Sequence, residues 1–162
     1  MKHFLVIVFL AVLGSSPAFA QKNNIVGKWT FASISSSEFS FDLENPVAAK
    51  KLLIEEIKKE GGQIPDSTTL DLAITMMTAA FDLMSFEFTT DGKAIFSAPA
   101  EEGGLKQETA KYTVDYTAGT LTTIETIDGK EKKEVIKISF KGDYLTMEKV
   151  DKKEIIKVKR AK

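Results

Sequence analysis

From residue 84 to the end of the chain, apolar and polar positions alternate with few interruptions, the period expected of strands with one buried face. Met84, Phe86 and Phe88 alternate with Ser85, Glu87 and Thr89, and Asp91-Gly92 suits a hairpin turn because both residues tolerate positive φ. Ala94 to Ala98 forms the returning strand, closed by Pro99 and a loop containing Gly103-Gly104. Tyr112, Val114 and Tyr116 mark the next strand, which Ala118-Gly119 turns into Thr120 to Ile127. Asp128-Gly129 turns again into Val135 to Phe140, where Ile136, Ile138 and Phe140 share a face. Lys141-Gly142-Asp143 leads to Tyr144 to Val150, with Leu145 and Met147 together. Asp151-Lys152-Lys153 leads to a last strand on which Ile156, Val158 and Arg160 share a face. Ile25 to Phe31 supplies a first strand that places Trp29 and Phe31 on one side. The reading is about eight strands joined by short antiparallel turns.

Between the first strand and the meander the period changes. Ser33 to Ser40 loosens the pattern, and Asn45-Pro46 then offers a capping side chain followed by a proline where a helix tolerates one. Val47 to Glu60 is rich in Ala, Leu, Lys and Glu, with Ala49, Leu53 and Ile57 four apart, and Gly61-Gly62 stops it. A second helix is expected after Asp66 or Ser67. Leu70, Ile74, Met77, Phe81 and Met84 line one side of it, and Leu72, Met76 and Leu83 widen that side. The two helices make an insertion of about residues 45–84 between strands 1 and 2. An up-and-down meander of this length removes its exposed edges by closing into a barrel, and eight strands enclose either packed side chains or one small ligand. The basic run from Lys152 to Lys162 reads as an edge strand with lysines facing water.

Ahead of this domain, residues 1–20 have the parts of a secretory signal: Lys2, the apolar run Phe4 to Leu13, and Ala18-Phe19-Ala20 as a small-x-small cleavage site. That apolar run is about ten residues, short of the roughly 20 a bilayer span requires. The mature chain is expected to be a single domain over 21–162, exported to a periplasm or outside the cell, with no membrane span. It has no cysteine, so neither a lipid anchor on cysteine nor a disulfide is available and packing must hold it. Without Lys2 it carries 21 basic and 23 acidic residues, a net charge of −2, which is no footprint for nucleic acid.

The two ends of the domain carry a resemblance. Gly27-x-Trp29 on the first strand, with Arg160 on the last, resembles the calycin signature of lipocalins. The run Phe140 to Met147, the Lys159-Arg160 ending and the helical insertion followed by Phe86-x-Phe88-x-x-Asp91-Gly92 look like the small lipocalin-like domains of exported bacterial proteins. The resemblance covers most of residues 25–160. It implies that Trp29 plugs one barrel end and that Arg160 lies across its ring, a cation–π contact worth about 0.5–2 kcal/mol. It departs from lipocalins in its early helices and its lack of a disulfide. The fold class expected is therefore mostly β: an antiparallel up-and-down eight-stranded lipocalin-like barrel with a two-helix insertion.

The same positions bound the function. The only histidine is His3, inside the leader, so the mature chain lacks the side chains behind most hydrolytic, redox and metal chemistry. Glu55-Glu56 and Glu101-Glu102 are neighbours in sequence without a shared cleft, Glu87 has outward parity, and Ser35-Ser36-Ser37 has no nucleophile-elbow context. No catalytic residue, metal ligand or cofactor is assigned. A small hydrophobic or amphipathic ligand in the barrel interior is the first expectation, lined by Phe86, Phe88, Phe96, Tyr112, Val114, Ile138 and Met147, with Met77 and Phe81 on a helix that lids the open end. Tyr112 and Tyr116 each offer a hydroxyl to orient a polar head. The alternative is a cell-envelope interaction module in which the apolar insertion, with Met76, Met77, Phe81 and Met84, docks a protein partner.

Overall fold

The computed structural model describes residues 24–162 except 38, 101 and 128, so the leader expected over 1–20 lies outside the described residues. The strands are β1 (Gly27–Ser35), β2 (Ser40–Asp42), β3 (Ser85–Phe88), β4 (Lys93–Pro99), β5 (Leu105–Asp115), β6 (Thr120–Ile127), β7 (Lys130–Lys141), β8 (Tyr144–Lys149) and β9 (Glu154–Arg160). They form one antiparallel sheet in the order β2-β1-β3-β4-β5-β6-β7-β8-β9, closed by a further ladder between β1 and β9. β1 and β3 to β9 make an eight-stranded barrel wall, while the three-residue β2 lies against the upper part of β1.

Closure depends on one irregularity. Trp29 pairs with Arg160 and Phe31 with Val158, but the register shifts before Ser33, so that Ile34 pairs with Ile156. Strict alternation would turn Ile34 to the face opposite Trp29 and Phe31. The bulge at Ala32 restores its inward direction and bends the strand. Ala32 is buried, and its carbonyl accepts a hydrogen bond from Leu43 N at 2.9 Å, which ties the start of the insertion to the bulge. The last strand is not the edge suggested by its lysines: β9 is paired on both sides, with β8 and with β1.

The insertion comprises α1 (Pro46–Lys59) and α2 (Ser67–Asp82), placed after β2 rather than directly after the first strand. Asn45 Oδ1 caps α1 by accepting from Ala48 N at 3.0 Å, and Asp66 Oδ1 caps α2 by accepting from Thr68 N at 2.9 Å and Thr69 N at 3.1 Å. Ala49 of α1 and Ile74 of α2 close over Phe41 of β2, whose ring stacks on Phe81 at 5.2 Å. β2 was missed because Phe39 and Phe41 stand among serines that read as a loop. Leu72, Met76 and Leu83, expected on the covered side of α2, are instead 59%, 65% and 56% exposed. No described helix is long and apolar enough to cross a membrane.

Candidate functional site

One barrel end is shut. Trp29 is 1% exposed and donates from Nε1 to Ile25 O at 2.7 Å. The Arg160 guanidinium lies over the indole at 4.3 Å, donating from Nη1 to Val26 O at 3.0 Å and from Nη2 to Asn24 O. The stack and the hydrogen bonds use different parts of the planar guanidinium, which lysine could not reproduce. Glycine suits this position on two counts. Its φ is +125°, and a Cβ at that position would stand 3.0 Å from Arg160 Nη1. Phe140 and fully buried Leu145 and Val158 fill the space above the plug.

Above this layer the barrel holds a cavity of about 410 Å³. Three rings build one wall: Phe86 lies 5.3 Å from Phe31 and 5.0 Å from Phe96. Phe81, at the end of α2, reaches to within 5.8 Å of Phe31, and Met84 joins it on the cavity lining. Ala94, Leu121, Ile136, Met147 and Ile156 complete the apolar surface. The volume lies within the usual range for small-molecule sites, and the predominance of apolar and aromatic walls is typical of them.

Of the side chains expected at a ligand site, the structure brings Phe86, Phe88, Phe96, Met147 and Phe81 to the cavity. It does not bring Tyr112, Val114, Ile138 or Met77 there. Tyr112 packs edge-on against Phe88 and its hydroxyl donates to Thr89 O at 2.8 Å, so burial pushes its pKa up without presenting a hydroxyl to the cavity. Val114 and Ile138 pack into the core cluster instead, and Met77 lines a separate shallow groove beside α1. Tyr116 sits at the shut end, where its hydroxyl accepts from Ile25 N at 3.2 Å. The three strand residues among them had the right parity. Parity says which face a residue occupies but not how high in the barrel, and Tyr112, Val114 and Ile138 lie on the lower turns.

Sequence reasoning missed the mouth. The β5–β6 ladder runs from Asp115–Thr120 only as far as Lys111–Ile124, whereas β4–β5 and β6–β7 each continue to Pro99–Leu105 and Ile127–Lys130. The wall therefore forks into two hairpins. Glu108, Thr109 and Ala110 line the cavity from one side of the fork, and Thr123 and Glu125 from the other. Glu108, Thr109 and Glu125 are also exposed, so the cavity meets solvent here. A signal existed in the doubly polar stretches Lys106 to Glu108 and Lys130 to Glu134, which a strand inside a covered wall would not tolerate.

No protein-family model and no curated protein matches the chain by sequence. Among solved structures, a DUF4847 family protein from Bacteroides vulgatus ATCC 8482 aligns with a TM-score of 0.54 at 11% identity, covering 88% of this chain and 98% of that chain. A lipocalin-like protein from Bacteroides uniformis ATCC 8492 aligns with a TM-score of 0.49 at 13% identity, covering 84% of this chain and 97% of that chain. At these identities the likeness concerns the fold alone. The fold of this chain is a mostly β, closed up-and-down barrel with two helices inserted after its early strands.

Proposed function

We propose that this chain is an exported, non-catalytic binding protein whose ligand is a small hydrophobic or amphipathic molecule held inside the barrel. The observation that carries the reading is the aromatic-walled cavity of about 410 Å³ beside a fully packed shut end. Burying about 300 Å² of ligand apolar surface would contribute roughly 7 kcal/mol. Immobilisation takes back several kcal/mol, which places affinity near the micromolar range. The test is titration with Nile red, a neutral hydrophobic fluorophore, followed by mass spectrometry of small molecules that co-purify with the native protein. Saturable one-to-one binding that is lost in Ala94→Phe, where the new ring would occupy the cavity, supports the reading. Absence of a saturable site sinks it.

One observation favours a second reading, an envelope interaction module. Leu72, Met76 and Leu83 form an exposed apolar stripe at spacings of four and seven along α2. If that stripe docks a partner or a second copy, Met76→Glu will abolish the association seen by light scattering and leave Nile red binding unchanged. A monomer at high concentration, with no change on substitution, would remove self-association.

A further inference from the structure

The charged side chains lining the mouth of the cavity are unequal in sign. Glu108, Glu125 and Glu134 supply three carboxylates against the single ammonium of Lys149. That ammonium is already committed, lying 3.6 Å from Glu134 and 3.9 Å from Glu154. Glu134 also meets Lys152 at 3.9 Å, and Glu108 is paired with Lys106 at 2.7 Å. Glu125 is different. Lys132 stands opposite it in the β6–β7 register, yet among the described residues no ion pair within 4.0 Å reaches Glu125. It therefore presents an unneutralised carboxylate at the fork, two residues above Thr123 on the same inward face of β6.

Building on the cavity reading, we propose that the ligand is a cationic amphiphile. Its apolar body lies among Phe31, Phe86 and Phe96, and its ammonium sits at the fork beside Glu125, with the Thr123 hydroxyl within the same face. The physical reason is asymmetric. An anionic head at this height meets the unpaired Glu125 carboxylate, and the cation that would receive it is held by Glu134 and Glu154. A cationic head meets a carboxylate that gives up no existing partner.

The test uses ligands matched in tail and different only in head. Nile red bound to the full mature chain is displaced by dodecylamine, dodecanol or dodecanoate, each below its aggregation concentration. Dodecylamine is expected to displace at about one-tenth the concentration of dodecanoate, with dodecanol between, because one exposed charge contact is worth up to ~1 kcal/mol and its sign reverses between the two heads. Glu125→Gln should shrink that ratio by about fivefold, and about 0.5 M salt should shrink it further. Glu87→Gln, on the exposed outer face of β3, should leave it unchanged. If the three heads displace equally, or dodecanoate wins, the head-group inference is overturned while displacement itself upholds the cavity. If Nile red finds no saturable site, the cavity reading falls and this inference with it.

Discussion

The two ends of this barrel are built from the same strands and behave as different materials. At the shut end every inward side chain is met by another: Trp29 by Arg160 and Phe140, Leu145 and Val158 with no exposed surface. At the open end Phe31, Phe86 and Phe96 touch one another along one wall and face empty volume on the other side. The difference is not one of aromatic content, since both ends carry rings. It comes from the ladder. Where neighbouring strands stay hydrogen-bonded the interior is narrow enough for side chains to fill, and where β5 and β6 part company it is not. Stability is thus concentrated below and capacity above.

The largest expected effect follows from that division. Trp29→Ala should cost about 3–5 kcal/mol in a urea unfolding experiment, because it removes a fully buried ring, leaves a cavity and strips Arg160 of its stacking partner. Phe96→Ala, on a half-buried ring with one face on the void, should cost about 1–2 kcal/mol while weakening Nile red binding. Should the Trp29 variant not fold, Trp29→Phe reports on the same plug more gently, since it keeps a ring and loses the bond to Ile25 O. Equal losses at the two ends would break the comparison.

Adding volume sharpens it. Val158→Phe at the shut end should destabilise by about 1–3 kcal/mol, the usual cost of forcing extra atoms into a filled core. Ala94→Phe lines the cavity and should be close to neutral in unfolding free energy while abolishing Nile red binding. The paired measurement separates stability from occupancy in a way that single truncations do not. A severe loss of stability in Ala94→Phe would mean that the upper interior is as tightly filled as the lower.

The shut end was legible in the sequence and the open end only half so. Gly27-x-Trp29 and Arg160 were readable through a resemblance, which implied the stacked plug that the structure shows across the β1–β9 ladder. The Asn45 cap was readable because a cap is a contact within three residues, and the start of the second helix was read to within one residue of the Asp66 cap. The cavity depends instead on where a ladder stops, a property of two strands at once. Alternation placed Phe86 and Phe96 inward correctly and gave Tyr112 and Ile138 the same standing, although these two lie below the void. Ile34 and its bulge show the other limit. Counting by twos from Trp29 misplaces it, and only the pairing with Ile156 reveals the extra residue.

The smallest expected effect concerns how the insertion is fastened to the filled half. Glu44 leaves β2 toward α1 and reaches the outer wall of β8 and β9, where its Oε1 accepts from the Tyr144 hydroxyl at 2.6 Å and from Lys159 Nζ at 3.1 Å. The hydrogen bond from Tyr144, then that from Lys159, holds its carboxyl below the usual glutamate range. A carboxylate depressed in the folded state stabilises fully above the ordinary glutamate pKa, and that contribution is lost as pH falls through the folded value. Because the group is 41% exposed on its side chain, the contribution is small and screened by salt. Urea midpoints measured from neutral to acidic pH should therefore fall less steeply in Glu44→Gln than in the parent chain. If Nile red affinity drops in the same variant at neutral pH, the insertion contributes to the mouth as well as to stability. Identical pH slopes in the two proteins would show that the tether adds nothing, and that the helices are held by Phe41, Ile74 and Phe81 alone.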